Sequence, residues 1–188
     1  AVDPSFYGQL KNIDKEFVKT DYFQKMSWLR DDVDDVYEPS YADMLRVAFT
    51  YKFKRGRLQH LVALLSGRNF ETEEYEERIA EESFKKLDEG IREFMNETNF
   101  KRFVMIIRSA GFINSSLIGS QNALNFSYVL YLLMRELNLN SAEIESLVRK
   151  WFVFSLITQR YSGSTESTLD SDVRRIDEEG VKAYIENT

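Results

Sequence analysis

The chain has 188 residues, enough for one domain with a core of its own, since a chain of this size buries about 70% of its unfolded surface. It has no cysteine and one histidine, His60, which excludes a disulfide scaffold, a thiolate zinc site, a cysteine nucleophile, a paired-histidine metal centre and an HNH-type nuclease centre. With 25 basic against 31 acidic residues, the net charge of -6 favours solubility and argues against a protein that coats nucleic acid with its whole surface.

Two prolines and eight glycines leave room for long helices, and Pro4 and Pro39 both stand where helices can begin. Leu10, Ile13 and Phe17 share a helical face, continued by Phe23, Met26, Leu29 or Arg30, Val33 and Val36, with Asp31, Asp32, Asp34 and Asp35 on a solvated side. Ser40 is an N-cap for a helix bearing Tyr41, Met44, Leu45, Ala48 and Phe49. Leu45, Val47, Phe49, Tyr51 and Phe53 also alternate with the strand period; helix is preferred because no partner strand is visible elsewhere.

Leu58, Leu61, Val62 and Leu65 predict a short helix closed by Ser66 and Gly67. Thr72 then starts a long one carrying Tyr75, Ile79, Leu87, Ile91 and Phe94. From Glu71 to Glu97 eleven acids face four bases, so this helix has an acidic outer side. Phe100, Phe103, Val104, Ile106 and Ile107 form the next apolar face, ending near Gly111. The uncharged run from Ser109 to Met134 is interrupted by Asn114, Ser115, Ser116, Ser120, Gln121, Asn122 and Asn125, so it reads as a loop entering a buried helix and not as a membrane span. That helix, Asn122 to Leu137, is apolar most of the way round and is the expected centre of the core.

Asn140 with Glu143 resembles a capping box and opens a helix through Ile144, Leu147, Val148, Trp151 and Thr158, expected to run to Arg160. After a polar turn, Leu169, Val173, Ile176 and Tyr184 are spaced for one last helix, with Ser164 or Ser167 as its cap and Asp170 completing a box with Ser167. The fold class is therefore all-α, a single domain over 1–188 of about eight helices around a central apolar helix. No secretory leader opens the chain, which points to the cytoplasm, and Ala1 in place of Met points to a processed or excised chain.

Two segments carry candidate binding chemistry. Lys52, Lys54, Arg55, Arg57 and Arg68 lie in a stretch without a single acid, beside Tyr51 and Phe53, a pattern suited to tracking a phosphate backbone. The alternative is that these bases pair with acids of the same domain. Arg160, Tyr161, Ser162, Gly163, Ser164, Thr165, Glu166 and Ser167 join a cation, a flexible glycine and several hydroxyls before a helix start, where a phosphate or carboxylate can be held. Here the alternative is a helix connection in which Arg160 satisfies orphan carbonyls and Gly163 reverses the chain. The acidic clusters read as solvated faces, and His60 as a surface or boundary residue without a catalytic partner.

Lys150-Trp151-Phe152, leading to Gln159-Arg160-Tyr161-Ser162-Gly163-Ser164-Thr165-Glu166-Ser167, with Gln121-Asn122-Ala123-Leu124-Asn125-Phe126 upstream, resembles the helical half of the GmrSD-type restriction proteins, also known as domain of unknown function 262. The resemblance is clearest from 100 to 176. Family members often carry Gly where Gln159 stands and Pro where Thr165 stands. The resemblance implies a non-catalytic helical module of a DNA-targeting phage-defence protein, packed on an N-terminal nucleotide-hydrolysing domain with an Asp-Gly-Gln-Gln-Arg motif in the same parent chain. That motif does not occur here, so no catalytic residue, metal ligand or cofactor is carried over. A second reading is an independent anion- or nucleotide-binding protein that uses the Arg160–Ser167 loop, and an enzyme acting alone is a third.

Overall fold

The computed structural model describes residues 36–70, 72–137 and 139–188. The helical faces expected before residue 36, including Pro4, lie outside them. Among the described residues there are eight α-helices and no strand: α1 Tyr41–Phe53, α2 Gln59–Leu65, α3 Glu77–Phe94, α4 Glu97–Ser109, α5 Gln121–Arg135, α6 Ser141–Ile157, α7 Thr165–Glu179 and α8 Val181–Glu186. The all-α expectation holds.

Helix α1 opens as its sequence dictates. The Asp43 N–H donates to Ser40 Oγ at 3.2 Å while Asp43 Oδ2 accepts from the Ser40 N–H at 2.8 Å, a complete capping box. Its double periodicity has a simple cause: every residue from Met44 to Tyr51 except Arg46 is buried, because α1 lies against both α3 and α5. A helix covered on several sides is apolar at neighbouring positions, and some of these fall into period two.

Helix α3 starts at Glu77, not at Thr72. Gly67, at φ +88°, closes α2, and Arg68 N–H reaches back to Ala63 O at 2.9 Å. The chain then folds onto itself: Arg68 and Tyr75 form an isolated antiparallel bridge, and Glu76 N–H donates to Gly67 O at 2.8 Å. Backbone groups committed to this turn cannot also begin a helix, and Tyr75 is left exposed.

Helix α5 is the centre. All its residues from Ala123 to Met134 are buried, and it touches α1, α4, α6 and α8. Tyr128 stacks on Phe103 at 4.7 Å between centroids and donates its hydroxyl to Phe94 O at 2.9 Å, so a buried phenol ties α5 to the end of α3. The same helix carries Asn125, whose amide donates to Asp43 Oδ1 at 2.7 Å and accepts from the Tyr37 hydroxyl at 2.8 Å.

Only half of the box expected at α6 forms. Asn140 accepts from Glu143 N–H at 2.8 Å, but the Glu143 carboxylate turns to Lys182 Nζ, 2.5 Å away. The single last helix is in fact two. Gly180, at φ +84°, ends α7 and lets α8 turn back so that Tyr184 enters the core. Helix α7 starts at Thr165, which places Ser167 inside its first turn and removes the Ser167–Asp170 box.

Candidate functional site

Helix α6 ends in a backbone device that decides what its neighbour Arg160 can do. Gln159 adopts φ +50°, its N–H donates to Leu156 O at 3.1 Å, and the Arg160 N–H donates to Ser155 O at 3.0 Å. These two reverse bonds are a Schellman closure and satisfy carbonyls at the end of the helix. The Arg160 side chain is thereby released from the carbonyls expected to hold it. It turns to Asp172 on α7, forming a two-pronged pair through Nε, at 2.9 Å, and Nη2. The reversal also belongs to Gln159 and not to Gly163, which has no left-handed φ and open space where a Cβ would stand.

Asp172 is 1% exposed, so its charge is compensated inside the protein. Beyond Arg160, the buried Tyr161 donates its hydroxyl to Asp172 Oδ2 at 2.8 Å. Burial, followed by the Asp172 charge, pushes the Tyr161 phenol well above its ordinary range; the Asp172 hydrogen bond pushes the Arg160 guanidinium up. Trp151 Nε1 donates to the Tyr184 hydroxyl at 3.3 Å in the same layer. Outside this node the loop is open: Ser162, Gly163, Ser164 and Ser167 are exposed, and Arg160 borders a groove of about 630 Å³ with Phe154, Thr168 and Ser171. An anion entering that groove meets the Asp172 carboxylate already in the fork of Arg160.

The outer face of α7 joins this loop to the basic stretch. Asp170 Oδ1 accepts the Gly56 N–H at 2.7 Å, and Asp170 Oδ2 lies 3.2 Å from Arg57 Nε. Glu166 of the loop faces Arg46 at 3.7 Å. Arg57 is therefore neutralised internally. The backbone of Arg68 pairs with that of Tyr75 in the turn after α2.

Lys52, Lys54 and Arg55 are disposed differently. Lys52 Nζ and Lys54 Nζ lie 4.6 and 5.8 Å from the centre of the Tyr51 ring, and the Arg55 guanidinium lies 4.7 Å from the centre of Phe70. Lys86 of α3 joins them, 5.0 Å from the Phe53 ring. Among the described residues, none of these four cations has a carboxylate oxygen within 4.0 Å. Burial lowers the Lys54 ammonium pKa, and Lys52 and Lys86 add to this, against the opposing pull of Glu136 and Asp177. Glu136 itself accepts the Tyr51 hydroxyl at 2.5 Å. His60 packs edge-on against Phe70 at 5.3 Å, and its pKa is lowered by burial and then by Arg55.

The remaining residues of the resemblance also anchor helices. Gln121 Nε2 reaches Asn125 Oδ1 at 3.2 Å, and Lys150 Nζ reaches the carbonyls of Ile185 and Glu186 at 3.4 and 3.3 Å, at the end of α8. Comparison with protein-family models, curated proteins and solved structures gave no match to this chain. Among the described residues no helix is long and apolar enough to cross a membrane. Sequence reasoning missed Asp172 and Lys86. Asp172 had a visible signal, an acid three residues after Leu169 and four before Ile176, on the apolar face of α7. Lys86 had none, because only packing of α3 on α1 brings it to Phe53.

Proposed function

We propose that this chain is a non-catalytic helical module that contacts a polyanion, the DNA backbone, through Lys52, Lys54, Arg55 and Lys86. The observation that carries this reading is the seating, on the rings of Tyr51, Phe53 and Phe70, of four cations that have no ion pair among the described residues. Cations seated on aromatic faces are held in position there, and they serve a sequence-tolerant contact with nucleic acid in which the phosphates supply the affinity. Arg57 leaves the set because Asp170 neutralises it. The overall acidity of the chain limits the contact to a weak one.

The resemblance to the helical half of GmrSD-type restriction proteins supplies the setting: a module of a cytoplasmic phage-defence protein that packs on a nucleotide-hydrolysing domain and presents DNA or a partner to it. The loop from Arg160 to Ser167 serves in this reading as the clamp that holds α7 on α6. Fluorescence anisotropy of a labelled duplex tests the proposal. Binding is expected to weaken steeply with salt, and K52E/K54E/K86E to abolish it, each lost cation flattening the log–log salt slope by about 0.9. Binding unchanged in the triple variant would move the contact elsewhere and end this reading.

A further inference from the structure

A second site lies between α4, α5 and α6, on elements that contribute nothing to the lysine patch. The three helices enclose a groove of about 420 Å³, within the about 300–1,000 Å³ range of small-molecule sites. Its floor is apolar: Ile106 and Ile144 are buried there, and Met105 stands exposed at the edge. Its sides carry charge. Arg102 of α4 and Arg135 of α5 both border the groove, and Arg149 reaches its wall, donating to Ser109 Oγ at 3.2 Å. Among the described residues none of these three guanidiniums forms an ion pair, and the groove's only bordering carboxylate is Glu145.

Tyr131 is the decisive residue. It is 3% exposed, its ring packs against Phe103 and Tyr128, and its side chain lines the groove. The other deeply buried tyrosines of this core use their hydroxyls: Tyr37 on Asn125, Tyr128 on Phe94, Tyr161 on Asp172. The Tyr131 hydroxyl has no hydrogen-bond partner among the described residues. The charges acting on it are Arg135, Arg102 and Glu145, the three charged residues that border the groove. Among the described residues this is a phenol donor without an internal partner, its ring buried and its side chain at the groove wall, bordered by two guanidinium forks that form no ion pair, an arrangement suited to an oxyanion.

We propose that this groove binds a small amphiphilic anion, an apolar body of one or two rings bearing a carboxylate or sulfonate, with the headgroup held by Arg102, Arg135 and the Tyr131 hydroxyl and the body lying on Ile106 and Ile144. The apolar floor excludes a highly hydrated polyanion, and the mixed lining selects a ligand with one charged end. Glu145 opposes the headgroup and keeps affinity modest.

Titration of the full chain with anilinonaphthalene sulfonate tests the assignment, with fluorescence reporting binding and melting temperature reporting the fold. One saturable site is expected in the wild type. Arg102→Gln with Arg135→Gln is expected to weaken it at least about tenfold, as loss of charge-assisted bonds implies, at an unchanged melting temperature because both side chains are exposed. Glu145→Gln is expected to tighten binding, and Met105→Glu, at a site 68% exposed, to abolish it without unfolding. The uncharged parent phenylnaphthylamine is expected to bind more weakly than the sulfonate. Equal binding of the neutral probe, unchanged affinity in the double arginine variant, or no change in both Glu145→Gln and Met105→Glu would overturn the proposal.

Discussion

Gly56 and Asp170 stand 114 residues apart, yet the backbone N–H of one donates to the carboxylate of the other at 2.7 Å. The contact depends on glycine, because a Cβ at residue 56 would lie 2.3 Å from Asp170 N and 2.6 Å from the carbonyl carbon of Leu169. The segment between α1 and α2 therefore rests directly on the backbone of α7, and the bond joins the basic stretch to the loop that follows α6.

Gly56→Ala is expected to destabilise the protein by about 1–3 kcal/mol or more, since backbone atoms and not a movable side chain stand in the way. The Arg57–Asp170 pair should open with it. Denaturant unfolding of the variant checks this, and a midpoint equal to the wild type would show that the two segments separate without cost.

Arg160→Ala leaves the buried Asp172 carboxylate without its cation, beside the Tyr161 hydroxyl, and is expected to cost about 3–5 kcal/mol. Replacing both charged residues, as Arg160→Met with Asp172→Leu, should recover much of that loss, because no charge then remains uncompensated. A melting point unmoved in Arg160→Ala, with loss of stabilisation by added phosphate, would instead assign Arg160 to a ligand.

Gln159 and Gly163 should respond in the opposite sense to their appearance in the sequence. Gln159→Gly relieves a left-handed conformation that costs a side chain about 1–2 kcal/mol and is expected to be neutral or stabilising. Gly163→Ala meets open space and should be neutral or stabilise by about 0.4–1 kcal/mol through the unfolded chain. Thermal melts of the two single variants check both, and marked destabilisation by Gly163→Ala would restore that glycine as the reversing residue.

The buried tyrosines define the alkaline limit. Burial raises the phenols of Tyr37, Tyr128 and Tyr161 well above the ordinary 10.0, while in the unfolded chain they ionise near that value. Their contribution is fully present below pH 10 and is lost as pH rises above it, because the unfolded state then releases protons that the folded state retains. Melting temperature should fall from about pH 10 upwards, with phenolate absorbance appearing together with unfolding. Phenolate appearing at pH 10 in a protein that stays folded would show these rings to be accessible.

Much of the architecture was legible without coordinates. The cap at Ser40, the short apolar stripe from Leu58 to Leu65 and the nearly all-apolar run after Ser120 are local signals, and each gave a helix where expected. They were legible because a helix's period and the residues that satisfy its first N–H groups are written within one or two turns of chain. Where local signals competed, the chain alone did not decide. Thr72 and Gly180 mark two such places: a backbone turn displaced the start of α3, and one left-handed glycine divided the expected last helix.

The candidate sites divide in the same way. Composition alone located the basic stretch and the polar loop, because residue type and charge density are properties of the sequence. Which cations remain available was a tertiary decision: Arg57 meets Asp170 and Arg160 meets Asp172 only because α7 folds back over the ends of α1 and α6, while Lys86 joins Lys52 and Lys54 across a different helix contact. Charge pairing acts over a few ångströms in space and is indifferent to separation along the chain, so sequence supplies the charges and the packing of helices determines which of them are neutralised.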